Sequence, residues 1–165
     1  MLPNITEIKV GIADYKTARS PEQIITLGLG SCVGVTLYDP ASKIGGLVHI
    51  MLPDSSQFQN RSNPAKFADL GIPLLLEEIL KLGAKRFSLQ AKMAGGAQMF
   101  NFADKSASTL NIGRRNVEMA KDILGKLGIK LIAEDTGGNY GRTMILDTAT
   151  GNVSIRSIGS PLRLL

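Results

Sequence analysis

This sequence of 165 residues holds one cysteine and one histidine, Cys32 and His49, seventeen positions apart. A thiol attacks as its thiolate; free cysteine ionises near ~8.5, and a neighbouring imidazole supplies the base or the charge that makes thiolate available at neutral pH. Cys32 closes the run Gly28-Leu29-Gly30-Ser31-Cys32. Two glycines in such a run free the backbone to aim the N–H groups of Gly30, Ser31 and Cys32 at one spot, a nest suited to a developing oxyanion. Thr26 is close enough in sequence for its hydroxyl or carbonyl to orient the imidazole. The plainer alternatives are a buried Cys acting as a small hydrophobe and a hydrogen-bonded strand His between Val48 and Ile50. The three residues together favour cysteine nucleophilic catalysis.

Rival chemistries lack their residues. The run from Gly28 has Val33 where a dinucleotide fingerprint needs its third glycine, and no phosphate loop of the Gly-Lys-Ser/Thr type occurs. Glu77-Glu78 and Glu134-Asp135 are adjacent pairs, one on a solvated helix face and one at a strand end, which is unsuited to paired-carboxylate catalysis. One Cys and one His cannot build a zinc site without carboxylates, and one Cys cannot form an internal disulfide. Neither a metal nor an organic cofactor is expected.

The net charge is +5, but Lys and Arg are spread from Lys9 to Arg163, with doublets only at Lys85-Arg86 and Arg114-Arg115. No aromatics interleave with them, so a solvated basic surface is expected rather than nucleic-acid binding. The longest apolar stretch, Leu74 to Leu76 with Ile79 and Leu80 beyond, is far short of the ~18 to 20 residues that span a bilayer. Met1-Leu2-Pro3-Asn4 has neither a basic nor an apolar signal region. A cytoplasmic protein, not inserted in a membrane, is the expectation.

At 44% hydrophobic and 20% charged residues the composition is globular, and the length suits a single domain over residues 1–165. Strands are expected at Ile8 to Ile12, Gln23 to Leu29, Val33 to Tyr38, Ile44 to Leu52, Arg86 to Met93, Ile129 to Ala133, Thr143 to Asp147 and Val153 to Ser157. Asn63-Pro64 reads as the start of a helix to about Leu82, kinked by Gly71 and Pro73. A second helix is expected over Ile112 to Leu127, with Val117, Ala120, Ile123, Leu124 and Leu127 inward. The fold class is therefore α/β or α+β-like, a layered domain of mixed sheets and about two long helices.

Register makes the chemical reading specific. Asp39-Pro40-Ala41-Ser42 is a turn sequence, and a two- or four-residue loop, pairing Asp39 with Ser42 or Tyr38 with Lys43, carries Cys32 opposite His49 on one face of a hairpin. A three-residue loop, or a bulge at Gly45-Gly46, would break that relationship.

The run Leu27 to Val35, with Thr26 six before Cys32 and His49 seventeen after it, resembles the chemoreceptor glutamine deamidase family, CheD. The resemblance continues through Gly95-Gly96-Ala97, Ile112-Gly113, Arg115-Asn116, Asp135-Thr136-Gly137-Gly138, Gly141-Arg142 and Thr150-Gly151, and spans about Val10 to Arg156. It implies Cys32 as nucleophile, His49 as base and Thr26 as its orienting residue. It implies a fold similar to the catalytic domain of cytotoxic necrotising factor toxins. The implied substrates are Gln side chains on the helical stalks of methyl-accepting chemotaxis receptors, with receptor glutamate methyl esters as a second substrate, and the implied partner is the phosphatase CheC. A non-enzymatic module that binds receptor and CheC, and a generic thiol hydrolase, are the competing readings. Gln57, in the polar loop to Asn63, and Phe100 and Phe102 after Gly95-Gly96 are candidates for a partner surface, with the basic helix around Arg114, Arg115 and Lys121 as the fallback.

Overall fold

Val33–Asp39 and Ile44–Ile50 are buried at every position, which strands achieve only when both faces of their sheet are covered. In a computed structural model of the protein, which describes residues 4–99 and 111–165, helices cover one face of that sheet and a second sheet covers the other. The strands are β1 (Glu7–Val10), β2 (Tyr15–Arg19), β3 (Gln23–Leu29), β4 (Val33–Asp39), β5 (Ile44–Ile50), β6 (Gln90–Gly95), β7 (Lys130–Thr136), β8 (Arg142–Asp147), β9 (Val153–Arg156) and β10 (Arg163–Leu164). The helices are α1 (Ala68–Lys81) and α2 (Ile112–Leu127).

One sheet runs β1-β3-β8-β9-β10 and the other β2-β5-β4-β6-β7. Pairings are antiparallel except β1 with β3 and β6 with β7. This is the expected mixed-sheet α+β architecture. Val33, Val35, Leu37, Val48 and Ile50 point to α1 and α2, packing on Ile72, Leu75, Ile79, Ala120 and Leu124. The opposite face, with Tyr38 and Leu47, packs on Ile24, Leu29, Met144, Leu146 and Ile155 of the second sheet. Gly34 permits this approach, since a Cβ there would lie 2.8 Å from the Met144 sulfur.

The β4–β5 turn closes in a different register from the one expected. Asp39 pairs with Ile44, not Ser42, and Gly34 rather than Cys32 lies opposite His49. The buried Asp39 carboxylate accepts from Ala41 N–H, the Ser42 hydroxyl and Lys85 N–H, while its carbonyl accepts from Lys43 N–H at 2.8 Å. Burial raises the Asp39 pKa, but these hydrogen bonds outweigh it and hold the carboxyl below its ordinary value. Lys43 takes a positive φ of 56° to close the four-residue loop. The register thus shifts by two, which keeps every side chain on its expected face.

Other boundaries move for local reasons. The first helix starts at Ala68, not Pro64, because Phe67 stays extended in a bridge with Leu52 and Ala68 N–H donates to Leu52 O. It runs on through Pro73. The strand expected from Arg86 begins at Gln90, after a short turn of helix at Arg86–Ser88. Strand β5 ends at Ile50. Strands β2 and β10 have no counterpart among the expected strands.

Candidate active site

The Cys32 loop joins the two sheets. Strand β3 loses register with β8 between Thr26 and Leu29, and the chain then crosses to β4 through Gly30, Ser31 and Cys32. Three successive carbonyls of this crossing are tied down. Gly30 O accepts from Ala97 N–H at 2.8 Å, Ser31 O from Asn116 Nδ2 at 2.9 Å, and Cys32 O from Gly96 N–H at 2.9 Å. Gly95 is required beside them: its φ is +106°, and a Cβ there would overlap the Cys32 carbonyl oxygen.

His49 shares a face of β5 with Leu47, toward the second sheet, and Cys32 packs at the edge of the same intersheet cluster. The ladder pairs His49 with Gly34 and ends at Val33 and Ile50, so Cys32 lies just past the last pair and is not directly opposite His49. Thr26 reaches His49 from β3 across the sheet interface, with Oγ1 2.7 Å from Nδ1. The Thr26 hydroxyl donates its hydrogen to Val10 O at 2.8 Å. It must therefore accept from the imidazole, which assigns the ring proton to Nδ1 and leaves the lone pair on Nε2. His49 is fully buried, and Nε2 has no hydrogen-bond partner among the described residues. Burial lowers the His49 pKa to about 4.

Cys32 is half-buried and free. Burial pushes its thiol up, opposed by its own backbone N–H, which favours the thiolate. A lowered His49 and a raised Cys32 describe a neutral imidazole and a neutral thiol, and no hydrogen bond joins the two among the described residues. Burial of both groups favours their neutral forms over an imidazolium–thiolate pair. The expected amide nest is also narrower, because Gly30 N–H donates to Gly28 O at 3.0 Å. The N–H groups of Ser31 and Cys32 donate to no backbone carbonyl among the described residues.

A second loop braces the first. Gly137 N–H donates to Gly95 O at 3.0 Å and Gln98 N–H to Gly138 O at 2.9 Å. Arg142, 3% exposed, holds this loop by donating to Gly137 O at 2.8 Å and Asp135 Oδ1 at 3.1 Å. Arg163 donates to the other Asp135 oxygen at 2.7 Å, and the Arg142 guanidinium lies over the Tyr140 ring. Sequence reasoning missed Asp135 and Arg142 as braces, and Asn116 as a loop anchor. Asn116 had a signal, since it interrupts the buried stripe of α2.

The remaining candidates lie elsewhere. Gln57 is exposed and accepts from Arg115 of α2 at 3.5 Å, with no hydrogen bond to Cys32, His49 or Thr26. Phe100 and Phe102 lie outside the described residues. Arg114 pairs with Glu118 at 2.9 Å and Lys121 with Glu134 at 3.0 Å, so these helix charges are partly matched. Among the described residues no three of His, Cys, Asp and Glu cluster to hold a metal, and no helix is long and apolar enough to cross a membrane.

The fold is an α+β layering with a thiol, an imidazole and a threonine hydroxyl gathered between its sheets. The family model described as CheD chemotactic sensory transduction matches residues 51–157. The protein of Desulforamulus reducens named probable chemoreceptor glutamine deamidase CheD is 62% identical over 159 residues, covering 96% of this chain and 95% of that one. Proteins of the same name are 59% identical in Moorella thermoacetica, over 96% of this chain and 95% of the relative, and 57% identical in Clostridium novyi, over 98% and 99%. The chain belongs to the CheD family.

Proposed function

We propose that this protein is a chemoreceptor glutamine deamidase that uses Cys32 as nucleophile, His49 as general base and Thr26 to fix the base. The observation that carries the reading is the Thr26 to His49 hydrogen bond, which leaves a buried imidazole lone pair on the face that Cys32 borders.

The thiol rotates toward His49 Nε2, which takes its proton as sulfur bonds the side-chain amide carbon of a receptor glutamine. Catalytic hydrogen bonds are often open before substrate arrives. The C=O π electrons move to oxygen, and the oxyanion accepts from the N–H groups of Ser31 and Cys32. His49 returns the proton to the leaving nitrogen, the C–N bond breaks, and ammonia departs from a thioester. His49 then deprotonates a water that attacks the thioester carbon, the C–S bond breaks, the sulfur regains a proton, and glutamate is released. A receptor glutamate methyl ester fits the same sequence with methanol leaving. No step draws on a metal or organic cofactor.

Cytoplasmic receptor stalks are the substrate, which makes the cytoplasm the working compartment. On the family resemblance we include CheC as a binding partner, read by co-elution of the two purified proteins. The substrate assignment is tested by incubating the protein with a purified cytoplasmic receptor fragment and mapping peptides by mass. Conversion of particular Gln residues to Glu, with ammonia in equal amount, is the expected result. An unchanged fragment overturns it.

A further inference from the structure

Helix α2 buries Gly113, Asn116, Ala120 and Leu124, a stripe at three- and four-residue spacing. Asn116 is the polar member of that stripe and is fully buried. Its side-chain nitrogen donates one hydrogen to Ser31 O at 2.9 Å and the other to Met51 O at 3.0 Å. Those carbonyls belong to the residue before Cys32 and the second residue after His49. The β4–β5 ladder ends at Val33 and Ile50, so the Asn116 amide joins the two strands just past their last pair.

Peptide geometry gives this bridge a direction. A trans peptide is planar, and its C=O and the following N–H point opposite ways. Holding Ser31 C=O toward α2 therefore turns the Cys32 N–H away from the helix, toward the side where sulfur lies. That N–H already favours the Cys32 thiolate. Ala97 N–H, on Gly30 O, aims the Ser31 N–H in the same manner.

We propose that Asn116 is a positioning residue for deamidation: by bridging the Ser31 and Met51 carbonyls, it aims the Cys32 N–H at the reacting oxygen and fixes the thiol loop relative to the His49 strand. The proposal rests on the reading of Cys32 as nucleophile. Asn116 touches neither substrate nor reacting atoms and acts through the backbone it holds.

The test compares Asn116→Ala and the isosteric Asn116→Asp with wild type and with Ala120→Gly, which loosens the same buried helix face without touching the bridge. Asn116→Asp keeps the shape but lacks the paired donors, so it serves if the alanine variant does not fold. Ammonia release from the receptor fragment gives kcat and KM, and iodoacetamide alkylation across pH gives the Cys32 titration midpoint. In a folded Asn116 variant kcat falls on the order of 10- to 100-fold with KM near wild type. The Cys32 midpoint rises, and Ala120→Gly at matched melting temperature shows neither change. A folded Asn116 variant with wild-type kcat and an unmoved midpoint, or an equal loss in Ala120→Gly, overturns the proposal. Wild-type protein that releases no ammonia contradicts the functional reading instead, and the alkylation midpoints still judge the bridge.

Discussion

Thr26 and His49 stand in different sheets and meet at 2.7 Å, and this contact decides which imidazole nitrogen is basic. Thr26 gives its only hydroxyl hydrogen to Val10 O, so the imidazole keeps its proton on Nδ1. A chain of three groups, Val10 carbonyl, Thr26 hydroxyl and His49 ring, thereby prepares Nε2 as the base.

Thr26→Val keeps the shape of the side chain and removes the acceptor. The buried Nδ1–H is left without a partner, at about 1 to 3 kcal/mol of stability. Turnover falls roughly 10- to 100-fold because the ring can rotate or change tautomer. Thr26→Ser retains the oxygen and restores most of the rate. Steady-state ammonia release with both variants checks this; equal activity in Thr26→Val and Thr26→Ser contradicts it.

The sole histidine gives an unambiguous titration. Burial sets His49 at about 4 in the folded chain, against an ordinary value of 6.5. Above 6.5 both states are neutral and the group imposes no penalty. As pH falls between these values the unfolded chain binds a proton that the folded chain does not, so folding weakens by up to about 1.4 kcal/mol per pH unit and roughly 3 kcal/mol in all. Below about 4 this loss is complete. The single imidazole Cε1–H resonance should titrate near 4 by NMR; a midpoint above 6 contradicts the buried neutral base.

Gly95→Ala forces a side chain into a positive-φ site and against the Cys32 carbonyl oxygen. A loss of at least ~2 kcal/mol is expected, with activity falling more than stability because the nucleophile's loop must shift. Gly125→Ala is the contrasting substitution. It sits within α2 with nothing inside 4 Å of an added Cβ, and should stabilise by about 1 kcal/mol. Denaturant midpoints for both variants test the pair of signs.

Arg142→Met removes the buried guanidinium that joins Asp135 to the Gly137 carbonyl. Asp135 retains Arg163, so the expected loss is about 3 kcal/mol, at the lower end for breaking a buried ion pair. Arg142→Lys does not restore the loop, because one ammonium cannot reproduce the planar fork of donors. Urea unfolding of the two variants reads this directly, and a loss under 1 kcal/mol in both would falsify the brace.

Much of this arrangement was legible because strand side chains alternate. The Cys32 and His49 faces survived a two-residue error in register, since a shift by two preserves parity. The shift comes from Asp39, whose buried carboxylate organises the turn over 40–43 and accepts from Lys85 of a distant segment. Strand β2 was invisible because Tyr15–Arg19 has no apolar alternation and is held at an edge by pairing with β5. The Gly30 amide could not be discounted beforehand, as its acceptor is set by the local path of Gly28. Asp135 and Arg142 sit on different sheets, and only the tertiary layering reveals them as one ion pair.

That Cys32 performs the chemistry on receptor glutamine is the step on which the whole mechanism depends. Its most direct test is ammonia release from a purified receptor fragment by wild-type protein and by Cys32→Ala, with circular dichroism and melting to establish that the variant is folded. Steady release by wild type and none above background by a folded Cys32→Ala is the expected result. Release by that variant at the wild-type rate would contradict it.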